Sequence, residues 1–249
     1  MDRLLRYLIL SDIHANLEAL DAVLAAGDEY EQVLMLGDVV GYGADPNAVI
    51  DRLRALPLAA IIRGNHDKVA AGLVDAGDFN YIARQAVAWT AAALTDMNRT
   101  WVAALPKGPV AIDDDMEICH GTPFDEDVYV FDEDEARRAL SAVQRPLCLF
   151  GHTHVPAAFR LAGRQLRFLG PTHEASFRVD LDEKAGYLVN CGAVGQPRDG
   201  DPRAAYGVVD TATRTLTIHR IEYDVAAAQA KIVHAGLPPV LAQRLALGR

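Results

Sequence analysis

The chain switches repeatedly between short unbroken apolar runs and stretches with helical spacing. Leu4–Leu10 is an apolar run closed by Ser11-Asp12, the pattern of a strand buried on both faces. From Asn16 to Ala26 the apolar residues Leu17, Leu20, Val23 and Leu24 recur at helical spacing. Asn16 is placed to cap that helix, and Gly27 to stop it. Gln32–Leu36 repeats the strand pattern and ends at Gly37-Asp38. Asp45-Pro46 opens a second helix reaching about Leu56, because proline fits a first helical turn. Leu58–Ile62 is a third strand, closed by Arg63-Gly64-Asn65. The order β-α-β-α-β predicts a parallel α/β arrangement.

Phe79–Leu105 reads as helix, and Val110–Ile112 with Met116–Cys119 as a hairpin about Asp113-Asp114. The acidic run Asp125–Glu135 predicts a solvated loop, and Glu135–Val143 a short helix. Strands are expected at Leu147–Phe150, Ala157–Leu161, Gln165–Leu169, Ser176–Asp180, Gly186–Val189, Tyr206–Asp210 and Thr215–Tyr223. Asp224–Leu247 predicts closing helices, interrupted at Gly236-Leu237-Pro238-Pro239. No repeat or long linker breaks the pattern, so one domain over residues 1–249 is expected.

Composition narrows the classes. With 51% hydrophobic and 23% charged residues the chain is globular rather than disordered. A net charge of −10 argues against general nucleic-acid or membrane-surface binding, though not against an anion at one locally positive site. Cys119, Cys148 and Cys191 are odd in number and form no C-x-x-C pair, which predicts no disulfide framework and a cytoplasmic setting. The first apolar run is too short for a signal peptide, and no stretch is long enough to span a membrane.

The chemistry sits where predicted strands end. Five stretches stand out: Ser11-Asp12-Ile13-His14, Gly37-Asp38-Val39-Val40-Gly41, Gly64-Asn65-His66-Asp67, Cys119-His120-Gly121 and Gly151-His152-Thr153-His154. Loops at the carboxyl ends of parallel strands converge on one crevice. In an extended segment, positions two apart face the same side, so Asp12 with His14, and His152 with His154, could each grip one cation. Asp38 can bridge two ions, Asn65 offers an amide oxygen and His120 another nitrogen. Seven mixed N and O donors exceed one tetrahedral ion and suit two ions sharing a carboxylate. Such donors fit Mn, Fe, Co, Ni or Zn rather than a thiolate-selective metal. The glycines beside them permit tight turns. No nucleophile elbow, phosphate loop, dinucleotide fingerprint or H-E-x-x-H helix is present.

In this order the five stretches resemble the calcineurin-like metallophosphoesterases, whose pattern is D-x-H, G-D-x-x-(D/G), G-N-H-(D/E), a single His and G-H-x-H. The match runs from Asp12 to His154. Gly37-Asp38-Val39-Val40-Gly41-Tyr42-Gly43 and Gly195-Gln196-Pro197-Arg198 are similar to the small bacterial branch of YfcE-like phosphodiesterases and some diadenosine polyphosphate hydrolases. The resemblance implies a four-layer α/β/β/α sandwich of two mixed sheets flanked by helices. It implies one metal held by Asp12, His14, Asp38 and His154, and a second by Asp38, Asn65, His120 and His152. A hydroxide bridging the two would attack phosphorus, His66 would be the proton donor, and Asp67 the acid that orients it. Protein phosphatases of the superfamily carry Asp-Arg where this chain has Gly41-Tyr42, which weakens that reading.

The expected activity is therefore dimetal hydrolysis of a small phosphodiester or dinucleoside polyphosphate, with manganese one candidate metal. A phosphomonoesterase is the alternative within the class, and a metal-binding scaffold with this fold the alternative outside it. Tyr42, Arg63 and Arg198 are candidate substrate contacts. Phe124, Tyr129 and Phe131 could stack on a base, although loop aromatics more often pack onto the body. His173, His219 and His234 match no motif and read as structural.

Overall fold

The computed structural model describes residues 5–170 and 174–249. Twelve strands form two six-stranded mixed sheets among these residues. In the first sheet, β1 (Arg6–Leu10), β2 (Gln32–Met35) and β3 (Leu58–Ile61) run parallel. Beyond β1 follow β11 (Ala204–Asp210), β12 (Thr215–Ile221) and β9 (Ser176–Asp180), all antiparallel to their neighbours. In the second, β5 (Met116–Ile118), β6 (Leu147–Phe150) and β10 (Gly186–Asn190) are parallel. The short β4 (Val110–Ala111) flanks them on one side, and β7 (Ala157–Ala162) with β8 (Gln165–Phe168) on the other.

Strand periodicity builds the layers. Along β1, Tyr7 and Ile9 point into the space between the sheets, where they meet Leu34, Ile118, Leu149 and Val189. The alternate residues Leu8 and Leu10 face the opposite way, onto α1 (Leu17–Leu24) and α2 (Pro46–Arg54). In the second sheet Leu149 faces inward, whereas Cys148 and Phe150 pack under α6 (Glu133–Leu140). The result is the expected order of helix, sheet, sheet, helix.

Local signals set most boundaries. Asn16 caps α1, its Oδ1 accepting the Ala19 N–H at 3.1 Å. Two helices depart from the expectation. Residues 79–105 form α4 (Tyr81–Ala93) and α5 (Asp96–Ala103), because Leu94 is extended and Thr95 caps a new start through the Asn98 N–H. Gly64-Asn65-His66-Asp67 is not a plain strand-end turn: α3 (Asn65–Ala70) begins there, too short to show a period. The chain closes with α7 (Val225–His234) and α8 (Pro239–Leu247). His173 lies outside the described residues, His219 stacks on Tyr206 at 5.2 Å, and His234 is exposed. No helix among the described residues is long and apolar enough to cross a membrane.

Leu34 is fully buried between the sheets. Leu34→Ala is expected to lower unfolding free energy by about 2–5 kcal/mol, through lost burial plus the cavity left behind. Urea denaturation should show an earlier midpoint at an unchanged slope.

Candidate metal centre

Parallel strands of both sheets end at the same edge, and their following loops carry the five motifs. Asp12, His14, Asp38 and His154 offer ligand atoms within 4.8 Å of one another, and so do Asp38, His120 and His152. All six residues are buried. Asp38 belongs to both groups: its Oδ2 lies 3.4 Å from Nε2 of His14 and 3.4 Å from Nε2 of His120. Asn65 joins the second group, its Oδ1 being 3.3 Å from His120 Nε2.

The backbone differs from the extended geometry expected for D-x-H and H-x-H. Asp12, His14, Asp38, His152 and His154 all have φ between 49° and 68°. This left-handed region costs a non-glycine residue roughly 1–2 kcal/mol, and Asp is among the residues that tolerate it best. The side chains converge because the turns are tight, not because alternate positions face one side. Gly64 makes one turn possible, since a Cβ there would fall 2.1 Å from Asp38 Oδ1.

Each ring is aimed by a main-chain carbonyl. His14 Nδ1 donates to Val40 O at 3.1 Å, His120 Nδ1 to Leu36 O at 2.8 Å, and His154 Nδ1 to Gln196 O at 2.6 Å. His152 is reversed, with Nε2 donating to Asp127 O at 3.1 Å. A carbonyl only accepts, so the nitrogen facing it carries a proton, and in a neutral ring the other presents a lone pair. Nε2 of His14 and Nε2 of His154 then face each other 3.1 Å apart, lone pair to lone pair. Burial holds both rings well below the ordinary imidazole pKa, so neither supplies a proton to relieve the contact. A cation among these atoms does relieve it, and the donor set fits a metal.

The second group makes the same demand differently. Burial lowers the basicity of His120, but the charge and hydrogen bond of Asp38 outweigh it and push the ring up to about 10. Burial drives His152 down to about 3. Burial also opposes ionisation of Asp38, yet His120, His66 and His14 outweigh it and hold the carboxyl well below its usual range. Asp12 is pushed up to about 7, chiefly by burial. It is a carboxylate short of positive charge, and a divalent ion reverses that imbalance.

Residues 5–214 match the calcineurin-like phosphoesterase superfamily domain. The chain belongs to that superfamily. A Methanocaldococcus jannaschii relative, MJ0912, is 34% identical, with 97% of each chain covered. The crystal structure of a metallophosphoesterase from Sphaerobacter thermophilus superposes with a TM-score of 0.87 at 37% identity, covering 99% of this chain and 100% of that one. Protein PH1004 of Pyrococcus horikoshii OT3 shares the fold, with a TM-score of 0.78 at 19% identity and 98% of both chains covered.

Around the metal groups, this phosphoesterase departs from expectation at two residues. Asp67 does not hold the His66 ring. Its carboxylate accepts the N–H groups of Val39, Val40 and Gly64 at 3.2, 3.1 and 2.9 Å, so it ties the Asp38 turn to the start of α3. His66 Nδ1 has no hydrogen-bond partner and rests where a side chain on Gly41 would stand, 2.6 Å from that site. The ring is packed by His14, Tyr42 and Phe79, at centroid distances of 4.8, 4.4 and 4.6 Å. Burial drives it down to about 4.

Arg63 is the second departure. Its Nε and Nη2 bind the Glu126 carboxylate at 3.2 and 3.1 Å, so it is an ion-pair residue rather than one aimed at substrate. Glu126 is itself buried and also holds Lys68. The acidic run is thus not simply a solvated rim, because Glu126 within it is drawn inward. Arg198 lies over the Tyr42 ring at 5.8 Å, and no carboxylate among the described residues pairs with it.

Gln196 and Asp127 act through main-chain carbonyls, which no side-chain signal betrays. Asn190 was legible in principle as a polar residue ending a buried apolar strand. Its Nδ2 donates to Gly151 O at 2.7 Å and Thr153 Oγ1 at 2.9 Å, shaping the turn between His152 and His154.

Because both groups share Asp38, Asp38→Asn should lose both ions together. Metal content after gel filtration, measured by inductively coupled plasma mass spectrometry, checks this. Two ions retained per chain would contradict the shared carboxylate.

Proposed function

We propose that the chain hydrolyses phosphodiester or dinucleoside polyphosphate bonds at a centre of two divalent ions. The observation that carries this reading is Asp38 Oδ2, equidistant from a ring of each donor group. Asp12, His14, Asp38 and His154 would hold one ion, and Asp38, Asn65, His120 and His152 the other. Bound there, the ions supply Lewis acidity and an activated water at neutral pH.

The chain's own residues do the rest. Asp38 Oδ1 accepts the His66 N–H at 2.9 Å, which fixes the proton donor relative to the shared carboxylate. With Nδ1 turned against Gly41, Nε2 is the His66 nitrogen left for substrate. The ring is neutral until an anion arrives, and phosphate beside it raises its proton affinity. His66 then gives its proton to the leaving oxygen. Arg198, which pairs with no carboxylate among the described residues, holds non-bridging phosphoryl oxygens. Tyr42 supports that guanidinium from beneath.

A phosphomonoesterase remains the second reading, and Arg198 is the observation that favours it. The guanidinium missing at position 42 would be supplied by Arg198, which lies over the Tyr42 ring.

His66→Ala should keep its metal and lose about 10²–10⁴-fold in turnover on a diester with an alkoxide leaving group. The loss should be smaller for p-nitrophenolate, which leaves without a proton. Equal losses on both esters would remove His66 from the donor role. For the reaction class, chelator-stripped protein is reloaded with Mn²⁺ and assayed on bis-p-nitrophenyl phosphate and p-nitrophenyl phosphate. Metal-dependent release from the diester is expected to dominate. Release from the monoester alone would favour the second reading, and release from neither would defeat both.

A further inference from the structure

Beyond the metal groups the aromatic rings continue outward as a column. Tyr129 lies on the His152 ring with centroids 3.9 Å apart and planes 19° apart. Phe131 lies on Tyr129 at 5.2 Å and 11°. Near-parallel rings touch at about 3.5–4.0 Å, so a 5.2 Å centroid distance means that the two are slipped. Each leaves part of a face bare: Tyr129 is 39% and Phe131 63% exposed. Between them Val130 is buried, so the strand-like alternation at 129–131 turns two aromatic rings outward and one aliphatic side chain inward. Phe124, earlier in the same loop, is instead covered by the Arg138 guanidinium at 4.5 Å.

The loop is pinned at both ends. Before the column, Lys68 Nζ binds Glu126 at 3.1 Å and Asp127 at 2.5 Å, and the Asp127 carbonyl takes the His152 proton. After it, the Phe131 N–H donates to Glu135 Oε2 at 2.6 Å. Lys68 sits on the helix that starts at Asn65, so the column is anchored to a metal-group element. Arg198 lies close enough for its charge to favour ionisation of the Tyr129 hydroxyl, against the burial that opposes it. A cation suited to phosphate and an exposed aromatic surface therefore lie beside the same metal groups.

We propose that Tyr129 and Phe131 form a stacking surface for the base of a nucleotide whose phosphoryl group lies at the metal centre under Arg198. The inference rests on the phosphoesterase reading above. Stacking tolerates any base, since every base presents a π face. The same segment carries the carboxylates of Asp125 and Asp132, so it suits a neutral base better than an anionic group.

The test compares adenosine 5′-monophosphate with ribose 5-phosphate, which share phosphate and sugar and differ by the base. Binding to Mn²⁺-loaded protein is measured by equilibrium dialysis. The nucleotide should bind about tenfold tighter, within the range that base–aromatic stacking provides. Phe131→Ala should abolish that preference while leaving the ribose 5-phosphate affinity and manganese content unchanged. Phe131→Trp should restore it. Equal binding of the two ligands by the unmodified protein would overturn the stacking surface and leave the phosphoesterase reading standing. So would a Phe131→Ala protein that keeps the preference. Binding of neither ligand by metal-loaded protein would overturn both.

Discussion

Four buried imidazoles, each locked by a main-chain carbonyl, turn their second nitrogen into a space they share with two carboxylates. Their own protons leave one contact unsatisfied. It is the 3.1 Å approach of Nε2 in His14 to Nε2 in His154, where both partners are acceptors. A cation among these atoms relieves that contact. The rest of the architecture keeps that demand in place. Two sheets each contribute parallel strands to one edge, and the carbonyls of Leu36, Val40, Gln196 and Asp127 leave the following loops at fixed orientations.

The loops hold one another as much as they hold the centre. Asp67 gathers three amides from two motifs, Asp38 accepts the His66 amide, and Asp12 accepts the amide of His152 at 3.2 and 3.1 Å. These charge-assisted bonds offset the left-handed backbone at Asp12, His14, Asp38, His152 and His154. Arg63 and Lys68 extend the same logic outward by clasping Glu126, which ties the loop carrying Tyr129 and Phe131 to the third motif.

Much of this was readable in the residues. Strands buried between layers are unbroken apolar runs, so β1, β2 and β6 stood out by the polar pair or glycine that ended each. The candidate ligands stood out because hard oxygen and imidazole donors are rarely gathered at strand ends without cause. What was hidden depended on partners distant in sequence. Nothing near Arg63 announces Glu126, and Asp67 beside His66 invites a contact that three backbone amides claim instead. The left-handed turns were equally invisible, since Asp and His also occupy extended backbone. The break at Leu94-Thr95 carried only the weak signal of a capping threonine, and six residues at Asn65–Ala70 are too few to reveal a period.

The position of Asp67 has a consequence for how function would be mapped in this fold. A systematic replacement screen scored by lost turnover would flag Asp67 beside His66, and adjacency would tempt a reader to pair them as donor and relay. Yet its oxygens face amides, and its replacement would slacken the hinge between two motifs without removing any group that touches phosphorus. In such a screen, the most sensitive positions would trace the scaffolding of the turns as faithfully as the reacting atoms.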